Sequence, residues 1–93
     1  MKNDGWNEEE KDLLAQLGER LSYLRQERDL TQTALAARAG VSKSYLCDCE
    51  NGRRNPTLLV LCKIAKALDT TLEDIFQELE SSESPIHYSN ARK

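Results

Sequence analysis

Apolar residues recur at helical spacing along most of the chain and divide it into five segments. The leucines of the first segment follow one another at intervals of three and four residues: Leu14, Leu17, Leu21 and Leu24. Asn7 and Glu10 form a capping-box pattern ahead of this stripe, with acidic side chains where the helix dipole favours them. The pattern predicts a core-facing helix over about residues 7–29, which Gly18 weakens slightly.

Two short segments follow, and a tight turn separates them. Thr31 and Ser42 are candidate N-caps for two helices, and Gly40 between them can supply the positive φ that ends the first. Two short helices joined by a glycine-containing turn form a helix-turn-helix motif. The sequence therefore predicts this motif at about 32–50, with its second helix over 43–50.

A glycine- and proline-containing stretch at 51–56 separates these helices from two more. Thr57 is a candidate N-cap for the fourth helix, whose apolar positions fall on one side: Leu58, Leu61, Ile64, Ala65 and Leu68. Thr71 and Asp74 form a second capping box, which begins a fifth helix over 72–79 with its own apolar stripe: Leu72, Ile75, Phe76 and Leu79. No segment alternates like a strand, so we expect an all-α domain of five helices.

The net charge of −3 conceals a basic centre. Residues 31–68 contain six Lys and Arg side chains and two acidic ones, whereas the segments before and after them are acidic. Because a protein contacts DNA locally, this basic segment matters more than the total charge. The distribution is compatible with a nucleic-acid partner.

Length and composition indicate one small domain. We expect an acidic extension over 1–12 leading into the first helix, a helix-turn-helix domain over 13–80, and a mobile tail over 81–93. The chain has no apolar run of ~20 residues, and its acidic start does not resemble a signal peptide. These features predict a cytoplasmic protein without a membrane segment.

Three stretches occur in the order typical of one family: LGERLSYLRQERDLTQTALAARAGVS, KSYL-D-ENGRRNPTL and LCKIAKALDTTLEDIF. Over about Leu17 to Phe76 the chain resembles the Cro/lambda-repressor type helix-turn-helix family, also called the XRE family. It departs from that pattern mainly at Cys47 and Cys49, where family members commonly carry a small polar and a branched apolar residue. The resemblance implies a five-helix lambda-repressor-like fold. It also implies a DNA-binding transcriptional regulator, with repressor the favoured role. An enzyme is not expected, because the single histidine, His87, lies in the tail and the sequence contains no glycine-rich phosphate loop.

The resemblance places helix 43–50 in the major groove of an operator. At 100° per residue its polar or small side chains share one face, while Leu46 and Cys49 lie opposite. We therefore expect base contacts from four residues: Lys43, Ser44, Cys47 and Asp48. Lysine can donate to guanine and aspartate can accept from the cytosine amino group. The alternative for Asp48 is that it repels phosphates in wrong registers, or tunes Lys43.

Other side chains are expected to contact the phosphate backbone: Gln32, Tyr45, Asn51, Arg53 and Arg54. The alternative for the two arginines is a solvated loop with counterions. Arg25 and Glu50 form a further family-like pair, which we expect to be a buried salt bridge that orients helix 43–50.

One small domain reads about half a site, so the resemblance also implies a homodimer on a near-palindromic operator. The candidate dimer surface is the last helix, through Leu72, Ile75, Phe76 and Leu79. The tail segment SPIHYSNARK is a candidate site for a protein partner, which would favour an antitoxin. A restriction–modification controller of the same fold is another alternative.

Cys47 and Cys49 are two residues apart, so on a helix they point about 160° apart and cannot bind one metal ion together. We expect Cys49 to be a small core residue near Cys62, and Cys47 to lie on the DNA-facing surface. No cofactor or metal is expected, because a zinc site lacks a nearby fourth ligand. A redox- or metal-sensing repressor acting through Cys47 is the remaining alternative.

Overall fold

The computed structural model describes residues 5–77 and 79, and these residues form five helices. The helices are α1 (Glu8–Glu27), α2 (Gln32–Ala39), α3 (Lys43–Glu50), α4 (Leu58–Ala67) and α5 (Leu72–Ile75). The described part of the chain contains no strand, so the predicted all-α, five-helix domain is confirmed. The predicted tail over 81–93, with the protein contact expected there, lies outside the described residues.

A capping side chain begins every one of these helices. At α1, the Asn7 side chain accepts the Glu10 N–H at 2.8 Å, and the Glu10 carboxylate accepts the Asn7 N–H at 3.0 Å. The other four caps accept the N–H three residues later: Thr31, Ser42, Thr57 and Thr71. These side chains satisfy N–H groups that have no partner within the helix, which explains where the helices begin.

α5 is shorter than the predicted helix over 72–79, and that prediction was wrong. The helix ends at Ile75, and the Phe76 N–H makes the last bond to a carbonyl four residues earlier, that of Leu72. The N–H groups described beyond Phe76 bond to carbonyls three residues earlier. The Gln77 N–H donates to the Asp74 carbonyl at 3.3 Å. Such bonds tighten the chain into turns and do not continue an α-helix.

The core is shared by all five helices. Its fully buried large side chains come from every part of the domain: Leu21, Leu35, Leu46, Ile64, Leu68 and Ile75. Burial of each such side chain stabilises the fold by about 1.5–3 kcal/mol. The small buried residues Ala36 and Ala39 lie on α2, which packs against both α3 and α4.

The first turn of α4 lies outside this core. Leu58, which the helical period places on the same side as Leu61 and Ile64, is 60% exposed, and its neighbour Leu59 is 72% exposed. Leu61 is the first residue of α4 that is buried, so the helix meets the core only one turn after it begins. The helical period identified the correct side of α4 but did not show where along its length burial starts.

α1 crosses α3 at very close range through Gly18. A Cβ atom built on Gly18 would lie 2.5 Å from the carbonyl oxygen of Cys49 and would also overlap the carbonyl group of Glu50. Only a residue without a side chain allows the two backbones to approach this closely. Gly18 therefore positions the C-terminal end of α3 against α1.

Candidate nucleic-acid interface

α3 has an exposed outer face and a buried inner face. Lys43 and Ser44 are exposed, and Cys47 is half-buried beside them. Leu46 and Cys49, on the opposite side, are buried in the core. The division follows the predicted helical pattern, and it leaves a short polar surface that faces solvent.

A largely buried hydrogen-bond network fixes the C-terminal end of α3. Arg25 donates to Glu50 through two guanidinium nitrogens, at 2.8 and 3.1 Å, and their side chains are only 13% and 5% exposed. Gln32 donates its side-chain amide to the same carboxylate at 3.0 Å. Arg25 also donates to the Leu30 carbonyl at 2.8 Å, in the turn that leads to α2. One carboxylate thereby joins α3 to both preceding helices.

This network contains the ion pair that the sequence analysis predicted. It also places Gln32, a predicted phosphate contact, in an intramolecular hydrogen bond. The Gln32 side chain therefore lies at the start of α2 with its amide nitrogen directed towards Glu50. Gln32 and Glu50 lie 18 residues apart in the sequence, and no local pattern predicts this link.

Asp48 faces the two arginines of the following loop. Its carboxylate oxygens lie 3.9 Å from Nη1 of Arg53 and 3.7 Å from Nε of Arg54. Both distances exceed the range of a hydrogen bond, so these are charge–charge contacts. The guanidinium of Arg54 also lies 4.8 Å from the ring centroid of Tyr45, within the range of a cation–π contact.

The turn after α3 holds this loop close to the helix. Asn51 donates its side-chain amide to the Cys47 carbonyl at 3.0 Å, and its nitrogen lies 3.5 Å from the Cys47 sulfur. Gly52 has a φ of +75°, and the Arg53 N–H then donates to the Asp48 carbonyl at 2.8 Å. These bonds turn the chain back so that predicted base-contact and phosphate-contact residues form one surface.

The two cysteines of α3 lie in different environments, as their spacing predicted. Cys49 is buried, and burial raises the pKa of its thiol from 9.0 to about 11. Burial also raises the pKa of Tyr45. Cys62, expected near Cys49, is exposed on α4, so the two thiols do not share the core. Within residues 5–77 and 79, no group of three His, Cys, Asp or Glu side chains is arranged to hold a metal ion.

The predicted dimer surface is divided between core and solvent. Ile75 is fully buried in the domain's own core, whereas Phe76 is 41% exposed and Leu72 and Leu79 are half-buried. Phe76 and Leu79 line an apolar groove together with residues from α1, α4 and the preceding loop: Leu13, Leu14, Leu17, Asn55, Pro56 and Leu61. The side chains available to a partner are therefore Leu72, Phe76 and Leu79.

A salt bridge attaches α5 to α1 beside this surface. Arg20 donates to the Asp74 carboxylate at 2.8 Å and to its carbonyl at 3.0 Å. The Thr70 hydroxyl donates to the same carboxylate at 2.7 Å. This hydrogen bond, together with the charge of Arg20, lowers the pKa of Asp74.

Known proteins resemble this chain in sequence and in structure. The helix-turn-helix family HTH_3 matches residues 21–75. The immunity repressor protein of Bacillus phage phi105 is 44% identical over 62 residues, which are 67% of this chain and 43% of that protein. Control protein C.MunI of Mycoplasma sp is 37% identical over 70 residues, which are 74% of this chain and 95% of that protein.

Solved structures show the same similarity. The crystal structure of the restriction-modification controller protein C.AhdI from Aeromonas hydrophila has a TM-score of 0.67 and 38% identity. That match covers 68% of this chain and 96% of the controller. No helix in the described part of this chain is long and apolar enough to cross a membrane. Because the family match spans more than half of the chain, the protein belongs to the HTH_3 family of helix-turn-helix, XRE-type DNA-binding transcriptional regulators.

Proposed function

We propose that the protein is a cytoplasmic transcriptional repressor that binds a near-palindromic DNA operator as a homodimer, with α3 in the major groove. The observation that carries this proposal is the division of α3 into two faces. Lys43 and Ser44 are exposed, while Glu50 is held by Arg25 on the inner side. A helix that reads bases needs an exposed polar face, and its opposite face has to be held rigidly against the rest of the domain.

Base readout would come from the outer face of α3. Lys43 can donate to guanine O6 and N7, and Ser44 can contact several bases. Cys47 is half-buried on the same face and can make an apolar contact. Asp48 can accept from the cytosine amino group once its carboxylate turns from the arginines.

Backbone contacts would come from the residues around α3. Arg53 and Arg54 lie just beyond its end and retain exposed guanidinium groups. Tyr45 and Asn51 support that loop through the cation–π contact and the turn hydrogen bond. Gln32 at the start of α2 would contact the strand on the other side of the groove.

Selection of bound duplexes from a random DNA pool with the full chain, followed by footprinting, tests this function. We expect an enriched, near-palindromic sequence whose two half-sites are centred about one helical turn apart. Recovery of no enriched sequence would contradict sequence-specific binding. An enriched site without symmetry would contradict the homodimer alone.

The homodimer is proposed to form through the exposed apolar side chains of the α5 region. Phe76 is the most exposed of these, and it lies beside an apolar groove. We expect Phe76→Ala to shift the protein towards monomer in sedimentation at micromolar concentration. Leu59→Ala is the matched control, because Leu59 is an exposed apolar residue on α4 that does not line this groove. A wild-type protein that remains monomeric with and without DNA would refute the dimer.

A restriction–modification controller is the second candidate function. The share of each relative that the match covers favours it. The similarity spans 95% of control protein C.MunI and 96% of C.AhdI, but 43% of the phage immunity repressor. Mapping the selected operator onto the source genome distinguishes the two. A site beside genes for a restriction endonuclease and its methyltransferase would support the controller, and a site elsewhere would contradict it.

A further inference from the structure

Asp48 contacts both loop arginines without forming a hydrogen bond to either. Its oxygens lie 3.9 Å from Arg53 and 3.7 Å from Arg54. The Asp48 side chain is 23% exposed, whereas those of Arg53 and Arg54 are 65% and 45% exposed. Exposed pairs of this kind are weak, so the arginines can leave Asp48 when a better acceptor is present.

The acceptor that resembles this carboxylate most closely is a DNA phosphate. The planar guanidinium group binds carboxylates and phosphates with the same forked geometry. In the free protein, Asp48 is therefore the anion beside two side chains that are proposed phosphate contacts. Any DNA that recruits Arg53 and Arg54 has to displace it.

When Arg53 and Arg54 bind phosphates, the Asp48 carboxylate loses its two charge contacts and has to find a hydrogen-bond donor on the DNA. An ionised carboxylate only accepts hydrogen bonds. In the major groove it is repelled by guanine O6 and N7, by adenine N7, by thymine O4 and by the phosphates. The amino groups of cytosine and adenine can donate to it, but the adenine amino group lies beside the repelling N7 of its own base, so cytosine is the better partner. Whether the Asp48 carboxylate finds a hydrogen-bond donor therefore depends on the DNA sequence.

We propose that Asp48 is a specificity-determining residue that suppresses binding to arbitrary DNA, an inference that rests on the proposed function. Its carboxylate competes with phosphates for Arg53 and Arg54 on every sequence. An operator that presents a cytosine amino group near Asp48 compensates best for the loss of the two arginine contacts. Arbitrary DNA is then bound more weakly than the charge of this surface alone would produce.

The test compares Asp48→Asn with the wild-type full chain on the selected operator and on an unrelated duplex, at one salt concentration. We expect affinity for the unrelated duplex to rise about tenfold, equivalent to about 1.4 kcal/mol. Affinity for the operator should not rise, so the ratio of specific to non-specific affinity falls about tenfold or more. The preference for a G·C pair at the position opposite Asp48 should be lost.

Asp69→Asn is the matched control. It makes the same chemical change in the turn between α4 and α5, where the backbone has a φ of +59° that asparagine tolerates. We expect this variant to change both affinities by the same small factor. If Asp48→Asn behaves like Asp69→Asn, Asp48 contributes only net charge and the proposal is overturned.

A double-mutant cycle identifies the arginines as the intermediaries. In an Arg53→Ala/Arg54→Ala background, Asp48→Asn should change affinity for the unrelated duplex less than about twofold. A tenfold rise in that background would overturn the proposal, because Asp48 would then repel phosphates without the arginines. A wild-type chain that selects no operator refutes the proposed function as well, whereas operator binding with an unchanged ratio refutes this inference alone.

Discussion

Asp48 and Glu50 are carboxylates two residues apart on α3, and they differ in how they contact their arginine partners. The Glu50 side chain is only 5% exposed, and it accepts three hydrogen bonds of 2.8 to 3.1 Å from Arg25 and Gln32. Asp48 is partly exposed and approaches Arg53 and Arg54 no closer than 3.7 Å. Both carboxylates meet arginine, so the chemistry of the pairs is the same and only burial and geometry differ.

The difference follows from the helical period. Positions two residues apart on a helix point about 160° apart, so Glu50 faces α1 and α2 while Asp48 faces the loop that follows α3. A buried carboxylate cannot lose its partner without leaving a charge in the core. An exposed one exchanges its partner readily. The first kind of pair orients a helix, and the second is suited to respond to a ligand.

The largest expected effect comes from breaking the buried pair. Glu50→Ala should destabilise the fold by about 3–5 kcal/mol, because it leaves the Arg25 guanidinium buried without its counterion. Urea denaturation of the variant and the wild type measures this difference. Asp48→Ala is the matched control and should change stability by no more than about 0.5 kcal/mol. Equal losses of unfolding free energy in the two variants would mean that the difference in exposure between Glu50 and Asp48 does not affect stability.

Gly18 provides the next effect, since it brings α1 close to the Glu50 end of α3. Gly18→Ala should destabilise the fold by about 2 kcal/mol, because the new methyl group overlaps main-chain carbonyls of Cys49 and Glu50. Glu19→Ala, on the exposed side of α1, should be nearly neutral in the same denaturation experiment. A stabilisation of about 1 kcal/mol, as expected from helix propensity alone, would contradict the close approach.

The exposed pair should affect DNA binding and leave stability nearly unchanged. Arg53→Ala and Arg54→Ala should each weaken binding to all sequences and reduce the slope of log affinity against log salt by about one unit. Fluorescence anisotropy on two unrelated duplexes over a range of salt concentrations measures both. Lys66→Ala removes an exposed positive charge from the far end of α4 and serves as the control. Unchanged slopes for both arginine variants would show that the loop does not contact phosphates.

The effect confined to alkaline pH concerns the cysteines on either side of Asp48. Because burial raises the pKa of Cys49 from 9.0 to about 11, its contribution to stability is complete below pH 9 and is lost as the pH rises through 11. Cys49→Ala should therefore show a weaker alkaline loss of stability than the wild type. Cys47→Ser should retain that loss. The free energy of unfolding measured from pH 8 to 11 provides the comparison, and identical profiles for both variants would refute it.

Local features were predicted well from the sequence. The caps at Asn7, Thr31, Ser42, Thr57 and Thr71 were all identified, because capping depends on residues three positions apart. The division of α3 was also predicted, since it follows from the period of the helix alone.

Predictions of how far a helix extends and where its burial begins were less accurate. The predicted length of the last helix was wrong, and the apolar side of α4 was identified without the exposure of Leu58 at its start. Periodicity shows which side of a helix is apolar, but it does not show where along the axis the neighbouring helices end. Gly18 was interpreted from its propensity alone, because no local pattern reveals that another backbone lies against it.

The sequence by itself determined the five helices, their first residues and the buried face of α3, since these depend on spacing within a few residues. The tertiary structure decided what each charged side chain contacts. Glu50 meets Gln32 because α2 and α3 pack together. Asp48 meets Arg54 because the chain reverses at Gly52. The strength of a charge pair depends on distance and burial, and both arise only when the helices are assembled.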